Sequence, residues 1–425
     1  MPGLPLDTIV ALSSGRLPAA IAVIRTSGPN ALAAAAAIAG TRPAPRRASL
    51  RRFHFPDGAP IDRGLLLFFP GPDTATGEDI VEYQCHGSQA VVAAMVAALV
   101  GQPGMRHAEP GEFTRRALAN GRIDLTQAEG LAELLEAEGE AQRKSALLRA
   151  EGGLRRRIER WRGALLELSA EAEVAIDYAD EEDGMVAFDP VQRLASLVAE
   201  LDALLAAPRV ERLRDGVRLV VAGPPNAGKS SLVNALAGES RAIVTAIPGT
   251  TRDLVEVPLS IAGIPLTLID TAGLRQTDEE VERIGIGLAE REIARADLLL
   301  WLGTRGDLPI HPRSLLIASK ADLHASATGH RTSVVNGEGL DTLRTWIKEN
   351  AKTLIPSVEQ PGVNDREGAL LAECRSALMR AMSVSDPVLM AEELRVARTA
   401  LDRVSGLHGV DELLDALFGR FCLGK

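Results

Sequence analysis

Cysteine is scarce in this sequence, and its placement forms no recognisable site. The three cysteines, Cys85, Cys374 and Cys422, are far apart and make no CxxC pair. An odd number of isolated cysteines argues against a disulfide framework and against a zinc site. The sequence therefore favours a protein of a reducing cytoplasm.

Positive charge is also limited. The chain holds 47 Lys and Arg against 57 Asp and Glu, a formal net charge of -10 at pH 7. Because binding to phosphate backbones needs clustered cations, this balance argues against a protein that coats nucleic acid by bulk electrostatics. Any RNA contact must be local. Two arginine-rich stretches, 42–52 and 155–162, are candidates, with a solvated surface as the plainer interpretation of each.

Long uncharged runs are missing, and so is a basic leader followed by an apolar stretch. A membrane-spanning helix needs about 20 predominantly apolar residues, and a secretory leader needs a charged start before its apolar core. The composition, 46% apolar and 24% charged, is ordinary for a globular protein. The sequence therefore predicts a soluble, cytoplasmic protein with no membrane contact.

The length of 425 residues exceeds what one hydrophobic core normally supports, so two or three domains are expected. Residues 1–121 have a mixed α/β pattern, and residues 122–215 carry leucine and alanine at helical spacing. Residues 216–352 alternate apolar β-runs with helices, as in a doubly wound sheet, and helical spacing resumes over 353–425. One helical domain interrupted by an inserted domain is the economical interpretation, with two separate bundles as the alternative. The elements expected in the first domain include strands Ile21–Arg25 and Leu65–Phe69 and a helix near Ala31–Ala39.

A phosphate-binding loop is predicted directly after the apolar strand Val217–Ala222. The run GPPNAGKSS matches G-x-x-x-x-G-K-S, with Gly223, Gly228, Lys229 and Ser230 in register. Glycines let backbone N–H groups surround a phosphate, the lysine reaches the β and γ oxygens, and the serine hydroxyl binds Mg²⁺. A glycine-rich turn between strand and helix would be the structural alternative.

Two further phosphate-sensing elements follow in chain order. TAIPGTTRD at Thr245–Asp253 offers Thr251 as a switch residue for Mg²⁺ and the γ-phosphate. Strands at Leu254–Ser260 and Ile264–Ile269, joined by a turn at Ala262 and Gly263, then lead to Asp270-Thr271-Ala272-Gly273. This is D-x-x-G at a strand end, where the aspartate contacts Mg²⁺ through water. Three such elements in order leave little room for coincidence.

The base-reading segment follows the expected strand Leu315–Ala318. Ser319-Lys320-Ala321-Asp322 resembles the N-K-x-D motif of GTPases, in which the aspartate accepts hydrogen bonds from guanine N1 and N2. Ser319 departs from the usual asparagine, which weakens the expected support for the loop. Ser333, in the stretch Thr332–Val334, lies where the last guanine-contacting loop is expected.

The residue after D-x-x-G is Leu274, where Ras-like switches have a glutamine that orients the attacking water. Either hydrolysis is negligible, or the catalytic group and the charge-neutralising cation come from elsewhere.

The motifs GPPNAGKSSLVNALAG, AIPGTTRD, DTAGLRQTDEEVERIGI and the terminal FCLGK resemble the MnmE (TrmE) family of tRNA modification GTPases, of the TrmE-Era-EngA-like superfamily. The likeness runs nearly end to end, since LDTIVAL, VIRTSG, GEDIVEYQCHGS and PGEFTRRALANGRIDLTQAEG also match. It implies an N-terminal α/β folate-binding and dimerisation domain (1–121), a discontinuous helical domain (122–215 and 353–425) and an inserted Ras-like P-loop G domain (216–352).

The resemblance also implies an activity. Such proteins act as homodimers that hydrolyse GTP with K⁺ and Mg²⁺. With the flavoprotein partner MnmG (GidA), in a heterotetramer, they add a carboxymethylaminomethyl or aminomethyl group at C5 of the tRNA wobble uridine. K⁺ beside the phosphates would supply the charge that an arginine finger gives elsewhere.

By match to the family's motifs, Glu282 would place the hydrolytic water, although the DEEVER run alone favours a helix-surface acid. K⁺ would be bound by Asn226, Thr245, Ile247 and Thr250, and Mg²⁺ by Ser230 and Thr251. The positions that would contact GTP are Asn226, Ala227, Gly228, Lys229, Ser230, Ser231, Thr245, Ala246, Ile247, Pro248, Gly249, Thr250, Thr251, Asp270, Thr271, Ala272, Gly273, Lys320, Asp322 and Ser333.

A folate site is implied at both ends of the chain. Arg25, Glu82, Arg122 and Lys425 would bind a tetrahydrofolate derivative, 5-formyl- or 5,10-methylene-tetrahydrofolate, as the one-carbon donor. A carboxylate suits the amidine edge of a pterin, and cations suit a glutamate tail. Arg122 replaces the family's usual lysine, which keeps the charge and alters the geometry. Cys422 would lie beside this pocket, with packing as its plainer role.

Two other functions share part of this pattern. A regulatory GTP switch of the ribosome-assembly type would have every phosphate motif but no need for the N-terminal domain or the C-x-G-K tail. A folate-dependent one-carbon transferase regulated by its G domain differs in whether tRNA is modified.

Overall fold

The computed structural model describes residues 7–177, 190–238, 255–270, 290–323, 328–357 and 359–407, together with residues 417 and 424. The chain divides into two compact units. The first comprises Met1–Ala132, Ala150–Glu159 and Leu401–Lys425, and the second comprises Glu133–Arg149 and Arg160–Ala400. Among the described helices, none combines the length and the apolar character that a bilayer crossing requires.

The first unit is built on a six-stranded sheet of order β3-β4-β5-β2-β1-β6. Among its described strands, β1 and β6 pair in parallel and the other neighbours pair antiparallel. Its elements are β1 (Thr8–Leu12), β2 (Ala19–Ser27), α1 (Ala31–Ala39), β3 (Ser49–His54), β4 (Pro60–Phe69), β5 (Ile80–Gly87), α2 (Gln89–Val100), β6 (Met105–His107) and α3 (Glu112–Ala119).

Successive side chains along these strands point to opposite faces of the sheet. One face packs against α1 and α2, with Ile24, Tyr83 and Met95 fully buried in the core between them. On β1, Ile9 and Ala11 point to the opposite face, where Phe113 of α3 packs against them. Arg25 and Glu82 therefore lie on the same face as Phe113, because Arg25 is paired with both Ala11 and Glu82.

In the rest of the described chain, helices precede and follow the strands of a second sheet in sequence order. The elements are α4 (Leu125–Glu136), α5 (Glu140–Ala150), α6 (Gly153–Asp177), α7 (Val191–Leu205), α8 (Glu211–Asp215), β7 (Val217–Ala222), α9 (Lys229–Gly238), β8 (Val255–Ile261), β9 (Ile264–Asp270), β10 (Leu298–Trp301), β11 (Ser314–Ala318), β12 (His330–Arg331), α10 (Leu340–Lys352), α11 (Asp365–Ser383) and α12 (Pro387–Ser405).

The second sheet has the order β12-β11-β10-β7-β9-β8 and is parallel except for the β8–β9 hairpin. Its strands are covered on both faces, which explains their continuous apolar runs. On β7, Leu219 and Val221 pack in the core that α9 and α10 line, whereas Val220 belongs to the cluster on the other face. The hairpin turns at Ala262 and Gly263, both at positive φ (52° and 81°), as a two-residue type I′ turn requires.

Several of the predicted elements agree with the structure. The strand Val217–Ala222 and the helix Ala31–Ala39 have the expected bounds, and the two β-like runs of the first domain lie within β2 and β4. The leucine and alanine pattern produces α4 to α7.

Candidate functional site

The segments predicted to bind the nucleotide meet at one edge of the second sheet. Strands β7, β9, β11 and β12 run parallel, so their carboxyl ends lie on the same side. Gly223, Asp270, Ser319 and Thr332 stand at or directly after those four ends. Ligands of open parallel sheets bind outside the carboxyl ends of the strands. The motifs predicted from separate parts of the sequence are therefore gathered at this edge.

The P-loop has a backbone that only some residues can adopt. Gly223 has φ 146° and Gly228 has φ 94°. A Cβ at Gly223 would lie 2.8 Å from the carbonyl oxygen of Leu302, so the close approach of two backbones also requires glycine there. Asn226 is left-handed at φ 58°, a conformation that asparagine tolerates better than most residues. The loop then enters α9 at Lys229, whose first-turn N–H groups favour an anion.

Lys229 is held inside this loop. Its side chain is buried, and Nζ donates hydrogen bonds to the carbonyl oxygens of Gly223 (2.9 Å) and Pro224 (2.8 Å). Phosphate oxygens are stronger acceptors for an ammonium group than neutral carbonyls are. The lysine is therefore positioned where an incoming phosphate can replace the loop's own oxygens.

The segment predicted to read the base is hydrogen-bonded directly to the P-loop. The Ser319 hydroxyl donates to the carbonyl oxygen of Ala227 at 2.6 Å, and Lys320 Nζ donates to that of Asn226 at 3.0 Å. Ser319 therefore links this loop to the P-loop, although serine in place of the usual asparagine predicts weaker support for the loop. Its side chain is short, but the close approach of the two loops brings its oxygen within reach.

Asp322 is oriented by the neighbouring loop. The Ser333 hydroxyl, which is buried, donates to Asp322 Oδ1 at 2.6 Å. The backbone of Thr332 bridges the same two segments, since its N–H donates to Ala318 (2.9 Å) and its oxygen accepts from Ala321 (3.1 Å). The exposed carboxylate is therefore held in a defined direction while its second oxygen remains available to a base.

We expect Asp322→Asn to weaken GTP binding by about tenfold or more, because a hydrogen bond to a charged group contributes roughly 1.5–3 kcal/mol. Asp341→Asn is the matched control, since Asp341 is an exposed aspartate paired with Arg344 on α10. Titration calorimetry with GTP and ATP measures both variants and the wild type. Equal affinity of the wild type for GTP and ATP would contradict guanine recognition by this loop.

Ser230 and Asp270 are the described oxygen donors suited to Mg²⁺. Ser230 is an exposed residue in the first turn of α9, and Asp270 is a buried carboxylate at the end of β9. Hydroxyl and carboxylate oxygens are the ligands that Mg²⁺ prefers. Asn226, the predicted K⁺ ligand of the P-loop, is exposed as well. Other predicted positions lie outside the described residues: Thr245, Ala246, Ile247, Pro248, Gly249, Thr250, Thr251, Thr271, Ala272, Gly273, Glu282, Cys422 and Lys425.

In the first unit, Arg25 and Glu82 form a half-buried pair across β2 and β5. Arg25 Nε and Nη2 donate to Glu82 Oε1 at 3.0 and 2.7 Å. The guanidinium also lies 5.8 Å from the centroid of the Phe113 ring, within the range of a cation–π contact. A carboxylate, a cation and an aromatic ring are thus grouped on one face of the sheet.

The other two predicted folate residues are placed differently. Arg122 Nη2 donates to Asp73 Oδ1 at 2.8 Å, on the loop that precedes β5. Lys425 is not described, but the carbonyl oxygen of its neighbour Gly424 accepts from the Ser13 hydroxyl at 2.9 Å. A Cβ at Gly424 would meet the carbonyl oxygen of Leu12 at 2.1 Å, so the backbone of Gly424 lies directly against the end of β1. Leu12 pairs with Ile24, the residue before Arg25.

A buried network beside this pair was not predicted from the sequence. The fully buried Arg116 of α3 donates to Asp7, Glu78 and Glu112 at 2.8, 3.1 and 3.0 Å. Glu78 also accepts from the hydroxyl of Ser27 at 2.6 Å, two residues along β2 from Arg25. The network fixes the loop before β5. The signal available in the sequence was an arginine on the core-facing side of an amphipathic helix.

Comparison with known proteins gives one consistent family. A family model described as "MnmE helical domain" matches residues 125–422, and one described as "GTP-binding protein TrmE N-terminus" matches residues 8–122. The tRNA modification GTPase MnmE of Rhizorhabdus wittichii is 50% identical over 99% of this chain and 97% of its own length. The MnmE proteins of Erythrobacter litoralis (49%) and Novosphingobium aromaticivorans (48%) each match 99% of this chain and 100% of their own length. The chain therefore belongs to the MnmE family of tRNA modification GTPases and is a GTP hydrolase with a role in tRNA modification.

Proposed function

We propose that this protein hydrolyses GTP in a K⁺-dependent manner and drives addition of a carboxymethylaminomethyl or aminomethyl group at C5 of the tRNA wobble uridine. It acts in the cytoplasm as a homodimer, with the flavoprotein MnmG (GidA) in a heterotetramer. The observation that carries the nucleotide part is the direct fastening of the base-reading segment to the P-loop through Ser319 and Lys320.

The proposed domains are an N-terminal folate-binding and dimerisation domain (1–121), a helical domain in two parts (122–215 and 353–425) and an inserted G domain (216–352). Support for the insertion comes from the helical family match over 125–422, a range that encloses the P-loop. The proposed G domain begins where α8 leads into β7 and ends with α10.

Within the G domain, Lys229 and the P-loop amides bind the phosphates, Ser230 and Thr251 bind Mg²⁺, and Asp322 with Ser333 reads guanine. Asn226, Thr245, Ile247 and Thr250 bind K⁺, and Glu282 places the hydrolytic water. The Ser333–Asp322 hydrogen bond supports the guanine assignment, because a carboxylate already aimed at the base loses less freedom on binding.

The one-carbon donor is a tetrahydrofolate derivative bound by Arg25, Glu82, Arg122 and Lys425. The grouped Arg25, Glu82 and Phe113 support this proposal, since together they offer a carboxylate, a cation and an aromatic surface. The anchoring of Gly424 to Ser13 supports a contribution from the C-terminal tail.

Mass spectrometry of wobble uridine tests the function as a whole. In cells that lack this protein, the C5 aminomethyl-type modification is expected to disappear and to return when the wild-type gene is restored. If the modification persists while ribosome assembly fails, a regulatory GTP switch is the better account.

The folate proposal predicts that Lys425→Met lowers affinity for 5-formyltetrahydrofolate by about tenfold, because one charge-assisted contact to the glutamate tail is lost. Gly424 is retained in this variant, so the anchor to Ser13 is unchanged. Lys352→Met, at the exposed end of α10, is the control. Calorimetry measures the binding, and GTP hydrolysis should be nearly unchanged in both variants. Unchanged folate affinity in Lys425→Met would remove Lys425 from the site.

A further inference from the structure

The amino-terminal edge of the second sheet, at the far end of β7 from the P-loop, carries a polar junction centred on Asp297. Its Oδ2 accepts from the backbone N–H of Arg218 at 2.9 Å and from Arg212 Nη1 at 2.5 Å. Asp297 also donates its own N–H to the carbonyl oxygen of Arg218 at 3.0 Å. One carboxylate therefore joins the start of β10, the start of β7 and the short helix α8.

Arg218 extends this junction to the helical residues 290–295. Its Nη2 donates to Glu292 Oε2 at 2.5 Å, and the Glu292 carboxylate is buried. Glu292 lies in the helical residues 290–295, which continue the chain directly after the segment that holds Gly273 and Glu282. A shift of this helix would therefore act on the base of β7.

The helix α8 is also hydrogen-bonded to residues 363–365, which follow the second sheet and α10 in the chain. Glu211 Oε1 accepts from the N–H of Asp365 at 2.8 Å, and the Val210 N–H donates to the carbonyl oxygen of Val363 at 3.1 Å. The preceding residue, Gly362, accepts a hydrogen bond through its carbonyl oxygen from Nη1 of the buried Arg149 of α5 at 2.8 Å. Contacts thus continue from Glu292 to α5 and α11 without a break.

We propose that Arg212 is a positioning residue that couples the nucleotide site to helices α5 and α11, so that GTP hydrolysis is converted into tRNA modification. This inference rests on the function proposed above. Asp297 keeps its two backbone hydrogen bonds with Arg218 when Arg212 is removed, so the sheet and the P-loop edge retain their support. What is lost is the ionic tie between the sheet and α8. A substitution of Arg212 is therefore expected to lower tRNA modification while leaving GTP hydrolysis intact.

The test compares Arg212→Met, Arg212→Lys and the control Arg214→Met in the full-length protein. Arg214 is on the same helix and also pairs with an aspartate, Asp215, but both side chains are exposed and adjacent in the chain. Arg212→Met is expected to hydrolyse GTP within about twofold of wild type while wobble-uridine modification falls about tenfold, the range of a typical coupling free energy. Arg212→Lys should recover part of the modification, and Arg214→Met should match wild type.

Hydrogen exchange gives a readout that does not depend on modification. The wild type is expected to change amide protection over residues 362–368 between GDP and a non-hydrolysable GTP analogue, and Arg212→Met should lose that change. The coupling role would be overturned if Arg212→Met modified tRNA at the wild-type level or kept the exchange response. A parallel loss of GTPase activity and thermal stability in this variant would overturn it as well. If the wild-type protein itself modifies no tRNA, the proposed function fails, and the exchange response still decides the coupling.

Discussion

GTP hydrolysis by this protein is expected to rise about a hundredfold or more when Na⁺ is replaced by K⁺ at constant ionic strength. Leu274 stands where a water-orienting glutamine is usual, so another group must place the water, and K⁺ beside the phosphates is expected to supply the charge stabilisation. Asn226 stands exposed in the P-loop, and the predicted partners Thr245, Ile247 and Thr250 offer neutral oxygens. A weakly hydrated monovalent cation accepts such ligands. Phosphate release under single turnover measures the effect.

Two variants separate the parts of this mechanism. Glu282→Ala should abolish most turnover and leave nucleotide affinity intact, because a residue that positions water acts in the transition state. Asn226→Ala should instead remove the response to K⁺. Glu290→Ala and Asn234→Ala, both at exposed positions of the proposed G domain, are the matched controls. Equal rates of the wild type in Na⁺ and K⁺, or full activity of Glu282→Ala, would contradict the mechanism and favour a regulatory switch.

Arg149→Met is expected to destabilise the second unit by about 3–5 kcal/mol, because it leaves a buried carboxylate without its cation. Arg149 and Glu367 are both fully buried, and Arg149 Nη1 lies 2.8 Å from Glu367 Oε2. Glu367 also accepts from the N–H of Asn364 at 2.8 Å, completing the capping box that starts α11. Loss of the arginine therefore disturbs both the ion pair and the helix start. Thermal unfolding followed by circular dichroism should show a midpoint lower by on the order of 10 °C.

Acid sensitivity supplies a second signature of the same pair. Burial alone would raise the pKa of Glu367, but the Arg149 charge and hydrogen bonds outweigh it and hold that pKa below its ordinary value of 4.5. A carboxyl whose pKa is lower in the folded state stabilises the protein above 4.5 and loses this contribution as the pH falls below it. Arg143→Met, which removes an exposed pair on α5, should leave the unfolding midpoint nearly unchanged. Similar midpoints for Arg149→Met and wild type would refute the role of the buried pair.

The local elements of the fold were open to prediction because their signals are short in range. The strand Val217–Ala222, the helix Ala31–Ala39 and the hairpin at Ala262 and Gly263 follow from residue periodicity and turn chemistry within a few positions. The P-loop could be predicted for the same reason, since its glycines adopt the positive φ angles that the loop itself requires. For these elements, chain order and spacing were sufficient.

The contacts that make the sites required the tertiary structure. Ser319 reaches Ala227, and Arg149 reaches Glu367, across 92 and 218 residues of chain. Periodicity indicates which face of an element is buried, but it does not say which distant side chain will meet that face. That choice depends on strand order and on how the elements pack, because a serine oxygen can replace an asparagine only when two loops approach closely enough. The sequence by itself determined the family, the P-loop and the order of the elements, whereas the tertiary structure decided the support of Ser319, the burial of Arg149 and the junction at Asp297.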